Sequence, residues 1–197
     1  MAASRSGRPR DPQLDAAILS AGLALFVEGG VAAASFEAIA ERTGASRSSI
    51  YRRWRTREDL LLAALQRART RRETGAEDWA SRPIGEVLDM FRELTVAAAS
   101  DPLSVGLLRQ MLALAPDNPI KRTYWSTVIE PRREVFAKMI VSARESGEIP
   151  PGPEPELLQD LLAGAVAYRL LMHPQAPDEH QTGSYVLQVL RALGLQP

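Results

Sequence analysis

The chain has 197 residues, 45% of them hydrophobic and 24% charged, the balance of a folded protein of one or two domains rather than of a disordered segment. No cysteine and only two histidines, His173 and His180, exclude a disulfide framework, a thiolate nucleophile, a zinc ribbon and an iron–sulfur cluster. Net charge is zero, yet residues 1–72 carry 13 Arg against 7 Asp+Glu, so a basic module suited to a polyanion precedes an acidic one. No metal and no cofactor are expected, and the absence of cysteine points to the cytoplasm.

Residues 1–11, with Arg5, Arg8 and Arg10, read as a flexible basic arm. The apolar stretch that follows, with Ala32, Ala33 and Ala34 behind it, has the outline of a secretory signal. Asp11, Asp15 and Glu28 break that outline. Leu14, Ile18, Ala21 and Leu25 also recur at helical spacing, which marks an amphipathic helix of a fold. No apolar run approaches the roughly 18 residues of a membrane span, so no membrane partner is expected.

The first helix is predicted over 12–28, stopped by the pair Gly29-Gly30. Ser35 caps a second over 36–42, which ends at Gly44, and Ser46 caps a third over 47–53. Thr56-Arg57-Glu58-Asp59 is a capping-box pattern that opens a connecting helix over 56–74. Pro83, Pro102, Pro119 and Pro155 each stand where a helix starts, which predicts helices over 83–99, 102–115, 119–146 and 155–172. Pro131 should kink or split the third of these, and a last helix runs over 179–193. The predicted fold is all-α: a basic three-helix domain over 12–55, the connecting helix, and a larger helical domain over 75–197.

The block from Ser35 to Tyr51 carries the fixed points of a helix-turn-helix. Ala40 is small where two helices cross, Gly44 can take a positive φ, and Ile39 and Ile50 fill the angle between the helices. The first turn of the third helix is then free to enter a major groove, where base edges suit short and basic side chains such as Arg47, Ser48 and Ser49. Six Arg from Arg42 to Arg57 add charge for phosphates.

Ala24-Leu25-Phe26, the block Ser35-Phe36-Glu37-Ala38-Ile39-Ala40, and Ile50-Tyr51-Arg52-Arg53-Trp54 followed by Thr56-Arg57-Glu58-Asp59-Leu60-Leu61 resemble the TetR/AcrR family of transcriptional regulators. The resemblance covers about residues 12–65. Trp54 stands where the family usually has Phe, Arg55 where Pro is common, and Arg57 where Lys is usual. The resemblance implies a repressor released from a palindromic operator in double-stranded DNA by a small, mostly apolar effector. It implies that Arg47, Ser48 and Ser49 read base edges beside Ser46, that Tyr51, Arg52 and Arg53 meet phosphates or neighbouring bases, and that Arg57 meets a phosphate. Ile39, Ala40, Gly44, Ile50 and Trp54 read as scaffold.

The same resemblance makes the second module a ligand-sensing and dimerising domain. Met90, Phe91 and Leu94, then Leu108, Met111 and Leu112, fall on helix faces that can line one cavity with Trp125, Ile129 and Phe136. Tyr168 and Met172 end a further helix. Met and aromatic side chains suit a flexible apolar ligand, and equally an ordinary core. Leu157, Leu161, Gly164 and Ala165 on one helix, with Val186, Leu190 and Leu193 on the next, offer more apolar face than one partner covers, which predicts a homodimer. Two other readings compete. An enzyme would find carboxylates in Glu86, Asp89 and Glu93 but no His partner; a helical adaptor would leave the Arg-rich helix-turn-helix unused.

Overall fold

Cap residues and proline-led turns set out ten α-helices among residues 11–72, 82–173 and 178–195, which the computed structural model of the chain describes. α1 (Pro12–Ala33) begins at Asp11, whose carboxylate accepts from the amides of Gln13 and Leu14 at 2.9 and 3.3 Å. Asp11 is therefore a helix cap and not part of a flexible arm; the remainder of the predicted arm lies outside the described residues. Helical backbone stops at Gly29-Gly30 as predicted, both residues leaving it and Gly30 standing at φ 73° and ψ −167°, backbone that only glycine adopts readily, before a short further turn to Ala33.

α1 corrects one expectation. Its 22 residues are long and apolar enough, by length and composition, to cross a membrane. Burial gives the apolar side chains another use: Ile18 and Phe26 expose nothing, and Leu23 and Leu25 are buried beside them. α1 is the core helix of its unit.

α2 (Phe36–Thr43), α3 (Arg47–Tyr51) and α4 (Arg57–Arg72) follow. α3 is two residues shorter than predicted, because the amides of Arg53 and Trp54 both turn back on the Ile50 carbonyl, at 2.9 and 3.0 Å, and close the last turn tightly. Ile18, Phe26, Ile39, Ile50 and Leu60 are fully buried. Gly22 permits their close approach: a methyl group there would overlap the Leu60 side chain. The chain divides into two compact units, Met1–Arg67 and Ala68–Pro197, so α4 belongs to both.

The second unit holds α5 (Ile84–Ser100), α6 (Pro102–Ala113), α7 (Pro119–Tyr124), a π-helical turn (Trp125–Ile129), α8 (Glu130–Glu145), α9 (Pro155–Met172) and α10 (Glu179–Ala192). A π-helical turn, flanked by residues of helical backbone, interrupts the helix predicted over 119–146 just ahead of Pro131. Its ring nitrogen has no proton to donate, and the preceding turn widens to the π form. Leu88, Ile140, Leu158, Val186 and Leu190 form a core with no exposed surface, drawn from α5, α8, α9 and α10.

Two residues expected at a dimer interface are thereby corrected. Val186 and Leu190 face inward, and Leu193 is half-buried against the same core. α10 packs on α5 as well as α9, so its apolar residues on several sides are used within the chain.

Candidate nucleic-acid interface

The turn between α2 and α3 is built from local hydrogen bonds. Gly44 caps α2 at φ 69°, where nothing crowds its missing side chain; the backbone angle alone calls for glycine. Thr43 Oγ1 donates to the Ile39 carbonyl at 2.7 Å and accepts from the Ala45 amide at 3.3 Å. Ser46 then caps α3, its Oγ accepting from the Ser49 amide at 3.2 Å and lying 3.2 Å from Ser48 Oγ. Ile39 and Ile50 fill the angle between the helices, as their positions predict. Tyr51 packs edge-on against Phe36, ring centres 4.8 Å apart, and leaves its far side 55% exposed.

The arginines divide by their neighbours. Arg53 is turned inward. Its Nη1 donates to the Ser49 carbonyl and hydroxyl at 2.8 and 2.7 Å, and its Nε pairs with the Asp15 carboxylate of α1. Ser49 Oγ accepts that bond with its own proton still available. Arg42 forms a two-pronged bond to Glu28, at 2.8 and 2.9 Å, which holds the Glu28 carboxyl below the ordinary glutamate range. Arg47 pairs with Glu37 at 3.2 Å. Arg52, Arg55 and Arg57 are exposed and hold no carboxylate among the described residues. Thr56 and Asp59 exchange side-chain caps at 3.0 Å each, which fixes the start of α4 beside Arg57.

Sequence alone identified the basic side chains but not their acidic partners. Asp15, Glu28 and Glu37 stand 38, 14 and 10 residues from the arginines they hold, and only the fold brings them together.

In the second unit five of the eleven side chains expected to line one cavity turn to solvent. Leu94, Leu112, Trp125, Tyr168 and Met172 are exposed, because the faces of α5, α6, the π-helical turn and α9 that carry them turn to solvent. Met111 is buried, Phe91 and Phe136 pack on the core, and Met90, Leu108 and Ile129 are half-buried. A groove of about 530 Å³ opens elsewhere, between α5 and α10. Arg92, Glu93, Val96 and Ala97 form one wall, and Glu179, His180, Gly183, Ser184 and Leu187 the other.

α9 keeps an apolar stripe in solvent: Leu157, Leu161, Tyr168 and Met172 all stay exposed. Gly164 lies within the stripe with nothing near its missing side chain, and Ala165 beside it is half-buried. Tyr185 of α10 donates to the Ala165 carbonyl at 3.4 Å and lies under the Arg169 guanidinium at 5.1 Å, which ties α10 to α9 within the chain.

A short capped helix with an exposed first turn, beside guanidinium groups that hold no carboxylate among the described residues, is the means by which a helix-turn-helix protein meets a major groove. Fold and site together define a DNA-binding transcriptional regulator. Residues 18–64 match the family model described as bacterial regulatory proteins, tetR family, and residues 84–189 match that of the tetracyclin repressor-like C-terminal domain. The chain belongs to the TetR family, whose members are regulators and not enzymes. It is 26% identical over 174 residues to the uncharacterised HTH-type transcriptional regulator YdeS of Bacillus subtilis strain 168, covering 86% of this chain and 84% of that one. Its fold is similar to that of the regulator FadR of Bacillus subtilis in complex with stearoyl-CoA, with a TM-score of 0.72, 18% identity and coverage of 91% and 97%. It is also similar to a Saccharomonospora viridis transcriptional regulator in complex with choline, with a TM-score of 0.75, 16% identity and coverage of 92% and 97%.

Proposed function

We propose that the protein is a cytoplasmic, homodimeric repressor that leaves a palindromic operator when a small effector binds. The observation that carries the dimer is the exposed stripe on α9. Leu157, Leu161, Tyr168 and Met172 share one helical face that a lone chain leaves in water. A two-fold copy covers it with the same residues, and Gly164 leaves room for the partner helix to approach. One reading head touches too few base pairs to select a site from a genome, so a pair in successive major grooves, roughly 34 Å or a little more apart, is the physical remedy.

On the operator, Arg47, Ser48 and Ser49 meet base edges beside Ser46, while Tyr51, Arg52 and Arg57 meet phosphates. Arg53, tied to Asp15 and Ser49, acts by holding α3 in place. Sedimentation of variants tests the dimer. Leu161→Glu should give folded monomers that lose tight binding to a full site. Leu190→Glu, which buries a carboxylate in the core, should fail to fold. A Leu161→Glu variant that remains dimeric contradicts this interface.

Support for an effector comes from the stearoyl-CoA and choline held by the two structural relatives, and from the α5–α10 groove, whose volume lies in the range of small-molecule sites. Arg92, Glu93 and His180 beside Val96 and Leu187 suit an apolar body with a polar end. Release needs a coupling of about 1–3 kcal/mol, which α4, shared by both units, carries to the reading head. Reciprocity supplies the test: operator DNA must weaken effector binding by the factor with which the effector weakens operator binding. A compound indifferent to operator DNA is not the effector.

A further inference from the structure

Glu37 lies in the first turn of α2 and Arg47 at the first position of α3. The turn at Gly44 brings Arg47 Nη1 to 3.2 Å from Glu37 Oε1 while both side chains stay more than half exposed, at 63% and 51%. A pair so exposed adds little stability. Its effect is on placement. One terminal nitrogen of the guanidinium is engaged by Glu37, and the other N–H donors of Arg47 have no partner among the described residues. A carboxylate at that point repels phosphate, whereas the guanine edge offers O6 and N7 as acceptors without a full charge.

We propose that Glu37 is a positioning residue that sets specificity: it presents Arg47 to a guanine edge and keeps it off the phosphate backbone. The inference rests on Arg47 being a base reader. It also divides the basic face by use. Arg47 is held by a carboxylate for reading, while Arg52, Arg55 and Arg57, which hold none among the described residues, are left for phosphates.

The test compares two duplexes, one selected from a random pool by the wild-type protein and one of shuffled sequence. Glu37→Gln keeps the shape and removes the charge. It should raise affinity for the shuffled duplex about two- to fivefold, the weight of one exposed ion pair. The salt dependence on that duplex should steepen by about one for each reading head, as Arg47 joins the phosphate contacts. Affinity for the selected duplex should not rise, so discrimination falls by the same factor. In an Arg47→Ala background Glu37→Gln should change neither discrimination nor slope. Glu41→Gln, on the same helix, should leave discrimination intact. A Glu37→Gln gain that is equal on both duplexes, or that persists without Arg47, overturns the proposal. Failure of the underlying reading gives a different result. Arg47→Ala should relax preference at one base pair about 5- to 150-fold, and an equal loss on both duplexes means that Arg47 reads no base.

Discussion

Arg53 and Arg57 stand four positions apart and have opposite surroundings, which separates a scaffold residue from a contact residue. Arg53 is only 12% exposed and bonds Ser49 and Asp15, so Arg53→Ala should cost roughly 1–3 kcal/mol in denaturant melts and lower DNA affinity through a loosened α3. Arg57 faces solvent with no described partner. Arg57→Ala should leave stability unchanged and make the salt dependence of DNA binding shallower by about one per reading head. The sequence made these two residues look alike, since it shows charge but not partners. The Glu28–Arg42 pair gives a check on one such partnership. The Arg42 bond lowers the Glu28 pKa in the folded chain, so its small contribution to stability is present above the ordinary glutamate range and lost as pH falls through the lowered value. A side-chain carboxyl titration by NMR should find Glu28 below the usual range, and Arg42→Ala should return it there.

At the level of elements, the signals that worked were local. Ser35, Ser46 and Thr56 each cap the helix that their sequence context announces, Pro102, Pro119 and Pro155 each open one, and the turn ahead of Pro131 widens to the π form. The start of α5 was less legible. Pro83 precedes the helix instead of opening it, and the first amide, that of Ile84, donates to the Glu148 carboxylate 64 residues away, at 3.1 Å. No local pattern encodes a cap supplied from the far side of a unit. Glu148→Ala should therefore cost about 0.5–2 kcal/mol, the usual weight of a helix cap, with amide exchange speeding first near Ile84. Helix faces were legible only by half. Leu157 and Leu161 are outward as expected, but Val186 and Leu190, with the same apolar character, are inward, because periodicity marks an apolar face without saying which neighbour covers it. Two side chains expected in the cavity differ for the same reason: Trp125 and Tyr168 are large and apolar yet turn to solvent.

For the whole molecule, the charge asymmetry of the sequence and the two compact units point the same way. The net charge of residues 1–72 is +6, from 13 Arg and 7 acidic side chains, and that stretch contains the helix-turn-helix. The rest balances it with an acidic surface that DNA would repel. Such a division suits a protein that holds a polyanion at one module and not at the other. It also makes the account testable in a single experiment, selection of bound duplexes from a random-sequence pool by the wild-type chain. The prediction is an enriched palindrome, its half-site centres about one helical turn or slightly more apart, with a guanine preference that Arg47→Ala relaxes at one position in each half-site. Binding without sequence enrichment, or enrichment of a single unrepeated half-site by a protein that sediments as a monomer, would contradict it.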